Sequence, residues 1–252
     1  MHQIQDFLAS FRFRPELAGC VGIERERFLV SPEGAFAPRA DEFLSEMRDA
    51  AWTYELSRCQ VEDRTRSARD HFIVKANLLS NDNRGKFVAA KIGLGLQTLE
   101  VAPESMPLDV YPEPRYLAIA EKISRETLSA ACRVAGTHIH LGMRNMDEAI
   151  AAYNLLRAEL ETLTRLGDHS GGERIRLYRA MAGKWNPPQY RDEQELFEIA
   201  RQEGFAENSR NCWHLIRITQ KGTVECRMFG VTVFPDEILE WVSAVRRIAR
   251  GV

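Results

Sequence analysis

Three observations predict a mixed α/β fold. Strand-like runs at 20–30, 52–63, 94–102, 136–142, 213–219 and 223–229 are interspersed with stretches of helical periodicity. Neither G-x-x-x-x-G-K-[ST] nor G-x-G-x-x-G occurs, so a nucleotide fold built on a glycine loop is not indicated. The 252 residues contain no repeat, low-complexity tract or convincing linker, and they read as one domain spanning 1–252.

Taken in order, residues 4–14 form a short helix with Phe7, Leu8 and Phe11 on one side, ended by Pro15. The strand 20–30 follows, then a turn at Ser31-Pro-Glu-Gly34 and a helix at 40–50. The strand 52–63 is interrupted by acids, and 67–91 has helical spacing that Ser80-Asn-Asp-Asn-Arg-Gly85 threatens to break. Pro103 closes the strand 94–102, and Pro112 and Pro114 precede a helix from about 115 to 134. After the glycine-bracketed strand 136–142, a helix at about 146–166 is marked by Asp147 and Glu148 at its start and Gly167 past its end. Residues 167–190 are the least regular part, and 192–203 form an acidic helix. Strands 213–219 and 223–229 make a hairpin about Gln220-Lys-Gly-Thr223, and a final amphipathic helix spans Ile238–Ile248.

Composition excludes several classes. With 44% hydrophobic and 28% charged residues the chain is an ordinary soluble protein, and a net charge of -2 gives no global attraction to nucleic acid or membrane. No apolar run approaches the ~20 residues of a membrane helix, and Met1–Ser10 lacks the pattern of a signal peptide. Five scattered cysteines without a C-x-x-C pair fit reduced thiols packed in a core, and a cytoplasmic location.

The chemistry lies in four strands. Side chains two apart on a strand share a face, so Glu24 and Glu26 stand together and repel unless a cation sits between them. Gln60 and Glu62 also share a face, whereas Glu55 has the opposite parity and reaches them only across a bulge or strand break. His138 and His140 form a His-x-His pair suited to metal. Glu225 and Arg227 share the polar face of an alternating strand. Each pattern has a plain structural reading too: a charged edge strand, satisfied core histidines, an intrastrand ion pair. Taken jointly, acid, imidazole and guanidinium without lysine suit Mg²⁺ or Mn²⁺.

Gly22-Ile-Glu-Arg-Glu-Arg-Phe28, Gln60-Val-Glu62, Gly136-Thr-His-Ile-His-Leu-Gly142 and Thr223-Val-Glu-Cys-Arg227, in this order, resemble the glutamate–cysteine ligase type 2 family of carboxylate–amine ligases. Tyr111-Pro-Glu-Pro-Arg-Tyr116 resembles its lead into a central helix, and the likeness runs from about residue 20 to 245. The resemblance implies an α+β, glutamine synthetase-like fold, with a curved, mainly antiparallel sheet forming a funnel and helices on its outer face. It implies ATP and Mg²⁺ (or Mn²⁺) as cofactors, and small-molecule carboxylate and amine substrates joined through an acyl phosphate. Neither nucleic acid nor membrane is expected as a partner, and a homo-oligomer is left open. The implied metal ligands are Glu24, Glu26, Glu55, Glu62, one of His138 and His140, and Glu225. Arg227 and Glu62 are the expected catalytic residues, with Arg227, Arg176 and Arg179 on the nucleotide or substrate. Ser170–Arg179 is the candidate mobile cover. The chain departs from the family in having Arg25 where an acid is usual, and in its shorter length. A non-catalytic ligand-binding relative and a zinc hydrolase using both histidines are the competing readings.

Overall fold

The computed structural model describes residues 2–252. In chain order the first half contains α1 (His2–Ala9), β1 (Val21–Val30), α2 (Ala40–Met47), β2 (Trp52–Tyr54), β3 (Gln60–Arg64), α3 (His71–Lys91) and β4 (Gly95–Gln97). Then come α4 (Pro114–Ala120), α5 (Arg125–Arg133), β5 (Thr137–Gly142), α6 (Met146–Ala158) and α7 (Leu160–Leu166). The last part holds α8 (Glu173–Ala182), α9 (Glu193–Glu203), β6 (Ile216–Thr219), β7 (Thr223–Phe229) and α10 (Pro235–Ala249). The strands form one open sheet in the order β2-β3-β1-β5-β7-β6, with β4 on the far half of β1. Every pairing is antiparallel.

The period of two divides this sheet into unlike faces. Val21 and Ile23 of β1, Ile139 and Leu141 of β5, and Val224, Cys226 and Met228 of β7 are buried in one core with residues of α3, α6, α7 and α10. Trp241 of α10 is fully buried and stacks on Phe229 of β7 at 5.2 Å and 11°, which adds about 1 kcal/mol to the burial of the ring. The opposite face of the same strands carries the acids and histidines.

On the helix side of β1, Arg25 and Arg27 are buried. Arg25 lies 2.8 Å from Asp63 of β3 and 3.1 Å from Asp82 of α3, and Arg27 lies 2.7 Å from Asp82. This explains why Ser80–Gly85 does not break α3. Part of the run is the helix's inward face: Asp82 meets the strand arginines, Asn81 donates to Asp63, and Gly85 packs where a Cβ would lie 2.5 Å from Trp52.

Other expected elements are cut by local chemistry. The helix at 115–134 is two helices, because the Ser124 side chain accepts from Thr127 N–H and starts α5 afresh. The strand 52–63 is two strands joined by residues 55–59. The region 167–190 is more regular than its composition suggests. The Asp168 carboxylate accepts from the N–H groups of Ser170 and Gly172, and α8 follows directly.

Candidate active site

Antiparallel register sets the site. Glu24 lies opposite His138 on β5, Glu26 opposite Glu62 on β3, His140 opposite Glu225 on β7, and Glu225 opposite Arg217 on β6. The loop 55–59 supplies the break that Glu55 needs and brings its carboxyl beside Glu62. All of these residues line one cavity of about 710 Å³.

His138 is the hub. Its Nδ1 is 3.8 Å from Glu24 and 4.0 Å from Glu225, and its Nε2 is 3.7 Å from Glu26. Two ligand groups share it: Glu24, His138 and Glu225, and Glu26, Glu62 and His138, each offering donor atoms within 4.8 Å of one another. His138 Nδ1 is buried and makes no hydrogen bond, an arrangement that is costly unless something occupies the lone pair. Burial and Arg227 push the His138 pKa down, which favours the neutral, metal-binding imidazole. His140 is placed differently, with Nε2 3.1 Å from Glu24 and Nδ1 3.1 Å from the Thr223 hydroxyl. It supports Glu24 and joins neither ligand group.

The two ends of the acid row differ electrostatically. Burial, then Glu26, pushes the Glu55 carboxyl up to about 8. Burial, then Glu24 and Glu55, drives Glu62 well above the ordinary carboxylate range. The nearest ion-pair partner of Glu62 is Arg64, at 3.7 Å. At the other end burial would also raise Glu225, but Arg217 and Arg227 overcome it and hold the group well below its usual value. Arg217 grips Glu225 with two nitrogens, at 2.6 and 3.1 Å, and Arg227 Nη1 is 2.5 Å away. Burial opposes ionisation of Glu24 as well, but the charge of His140, with His138 and Lys221 close by, holds its carboxyl well below the usual value.

This donor set is rich in oxygen, contains a single histidine, and has carboxylates that repel one another. It fits Mg²⁺ or Mn²⁺ better than a zinc site using both histidines. Beyond Glu24 and His140 a second chamber of about 400 Å³ is lined by Arg12, Arg14, Arg64 and Lys221.

Arg176 and Arg179 are not brought to the cavity. Arg176 faces solvent beside Glu173, and Arg179 stacks over Trp185 at 4.1 Å. Helical geometry turns Arg174, Tyr178 and Met181 inward instead. Arg174 donates to the carbonyls of Ala135, Met228 and Arg227. Gly136 leaves room for that guanidinium, since a Cβ there would sit 2.1 Å from it, and its own N–H donates to Glu26 at 2.7 Å. The segment Ser170–Arg179 is therefore a hydrogen-bonded turn leading into the packed helix α8 and not a loose cover. Arg25, where the resemblance implies an acid, points away from the site toward Asp63 and Asp82.

Sequence reasoning missed Arg217, Lys221, Tyr178, Arg12 and Arg14. Arg217 was within reach: counting outward from the turn pairs Thr219 with Thr223 and Arg217 with Glu225. Arg12 and Arg14 precede β1 and carry no motif.

A model of glutamate-cysteine ligase family 2 matches residues 20–170. The chain belongs to this family. It is 28% identical to a glutamate–cysteine ligase of Natronomonas pharaonis, over 93% of this chain and 70% of that protein. A putative glutamate–cysteine ligase 2-1 of Rhodococcus jostii is 24% identical, over 84% of this chain and 62% of that protein. The chain spans about two thirds of the length of these relatives. Among solved structures, a bifunctional glutathione synthetase from Pasteurella multocida superimposes with a TM-score of 0.60 at 13% identity, over 99% of this chain and 43% of that one. A Plasmodium falciparum glutamine synthetase gives 0.50 at 9% identity, over 99% and 54%. The fold is glutamine synthetase-like, mixed helix and antiparallel sheet, as the family resemblance implied. No helix among the described residues is long and apolar enough to cross a membrane.

Proposed function

We propose that residues 1–252 act as one catalytic unit, an ATP-dependent ligase joining a small carboxylate, glutamate or a similar amino acid, to an amine in the cytoplasm. The observation that carries this reading is the convergence of Glu24, Glu26, Glu55, Glu62, His138 and Glu225 on one cavity, with Arg217 and Arg227 against Glu225. Glu24, His138 and Glu225 would hold one Mg²⁺ or Mn²⁺, and Glu26, Glu62 and the shared His138 another, with Glu55 beside them. Bound there, the ions would screen the negative charge gathered when a carboxylate approaches a triphosphate.

The chain's own residues account for the rest. Arg12, Arg14 and Lys221 give the second chamber its positive charge, which suits the polyphosphate, while the larger cavity has room for acid and amine. A carboxylate oxygen attacks the γ-phosphorus, the bond to the β,γ-bridging oxygen breaks, and ADP leaves. Arg227 is held by Glu225 and the Tyr178 hydroxyl, so its guanidinium is pre-oriented for the transferring phosphoryl group. The amine nitrogen then attacks the acyl carbon, expelling phosphate and losing a proton to give the amide. The wall of α4 and α5 shields the acyl phosphate from water.

ADP release across a panel of acids and amines tests this. The expected result is ADP formed in step with an amide and lost in Glu24→Ala. ATP binding without turnover for every pair would instead make the chain a non-catalytic relative.

A further inference from the structure

We infer that the amine substrate is an amino acid with a large apolar side chain, an inference that rests on the ligase reading and names its second substrate. Tyr54, Tyr116, Ile119, Ile123, Met181 and Trp213 line the main cavity, and each is only partly buried, so apolar surface faces the open volume. Tyr54 is held rigidly, stacked on Tyr111 at 4.4 Å and 10° and edge-on to Tyr116 at 5.8 Å and 88°. A cavity of about 710 Å³ has room for the acid substrate and, against this wall, for an apolar body of aromatic size. A side chain as small as that of cysteine would leave most of that wall in contact with water.

The same cavity contains an unbalanced pair of cations. Arg115 and Arg210 both line it, and an Arg115 nitrogen donates to the Arg210 carbonyl at 3.2 Å. Most other cations around the site are committed elsewhere: Arg217 and Arg227 to Glu225, Lys221 to Glu24, Arg64 to Glu62, and Arg174 to three backbone carbonyls, while Lys122 at the cavity wall has no ion-pair partner among the described residues. Among the described residues no carboxylate lies within ion-pair distance of Arg115 or Arg210, and the nearby Glu113 is occupied in capping α4. The Arg115 guanidinium at the cavity wall, with the exposed Arg210 as its neighbour and no counter-ion on either, suits a ligand carboxylate. Apolar wall and cation pair together describe an α-amino acid: its side chain on the wall, its carboxylate on Arg115 and Arg210, and its amino group free to attack the acyl carbon. In that step the C–N bond forms, the bond from acyl carbon to phosphate oxygen breaks, phosphate leaves, and the amine loses a proton.

Calorimetric titration of the full chain, loaded with Mg²⁺ and a non-hydrolysable ATP analogue, decides the matter with L-phenylalanine, L-cysteine and phenethylamine as probes. L-Phenylalanine should bind about tenfold or more tighter than L-cysteine. Arg115→Gln should weaken L-phenylalanine about tenfold yet change phenethylamine by less than about twofold. Equal or tighter binding of L-cysteine overturns the inference, as does an Arg115→Gln change that falls equally on both aromatic probes. ADP release with L-glutamate and each amine is read separately. Turnover with L-cysteine alone sinks the inference and keeps the ligase, whereas no turnover with any amine sinks the ligase reading.

Discussion

One run of four residues, Glu24-Arg25-Glu26-Arg27, sends its charges to two sides of the sheet, and the two sides are completed differently. On the helix side Arg25 and Arg27 meet Asp63 and Asp82 in a closed square of opposite charges. On the cavity side Glu26, Glu55 and Glu62 crowd together, and Glu55 and Glu62 are held above their usual pKa. The protein neutralises its own charges where they serve the fold. It leaves the acids at the Glu55 end of the cavity without such partners, where the proposed function places a cation.

The largest expected effect comes from breaking the completed side. Asp63→Ala leaves two buried guanidinium groups short of an anion and should cost about 3–5 kcal/mol in urea unfolding. Glu62→Gln, the next residue along β3 and on its opposite face, replaces a carboxyl whose environment already favours the neutral form and should change metal-free stability by less than about 1 kcal/mol. Similar losses for both variants would erase the distinction between the faces.

Next in size is turnover. Glu24→Ala should lower ATP turnover by about a hundredfold or more while the protein remains folded. Arg227→Ala should weaken ATP binding by about tenfold, read by equilibrium titration.

A pH series sharpens the contrast further. The folded, metal-free protein favours the protonated form of Glu55, whose pKa is about 8. That preference stabilises the fold below the ordinary carboxylate pKa and is lost as pH rises through about 8. Metal binding needs the ionised form, so a fixed Mg²⁺ concentration should raise the melting temperature more at about pH 9 than at about pH 6. A pH-independent increment would argue against these acids as ligands. The smallest effect belongs to Arg176→Ala and Arg179→Ala, each of which should leave ATP affinity within about twofold, because both side chains lie outside the cavity.

What the sequence reveals here follows its period. Glu24 with Glu26, His138 with His140, and Glu225 with Arg227 share faces because they stand two apart on strands, and this was readable without coordinates. Glu55 was readable only as a conditional, since its parity required the break that residues 55–59 provide. Relations between distant elements were not readable. Nothing in Ser80–Gly85 announces that its acid pairs with arginines in β1, so a polar run resembled a helix breaker. Likewise the arginines of α8 look alike in sequence. Only the helix's docking onto Ala135, Arg227 and Met228 separates the buried Arg174 from the outward Arg176.

The most direct measurement is a Mn²⁺ titration with a non-hydrolysable ATP analogue, followed by electron paramagnetic resonance, on the wild type and Glu62→Gln. With two ligand groups sharing His138, the wild type should take up two ions per chain, and Glu62→Gln should lose one while still folded. Absence of saturable Mn²⁺ uptake, or identical uptake by both proteins, would contradict the account.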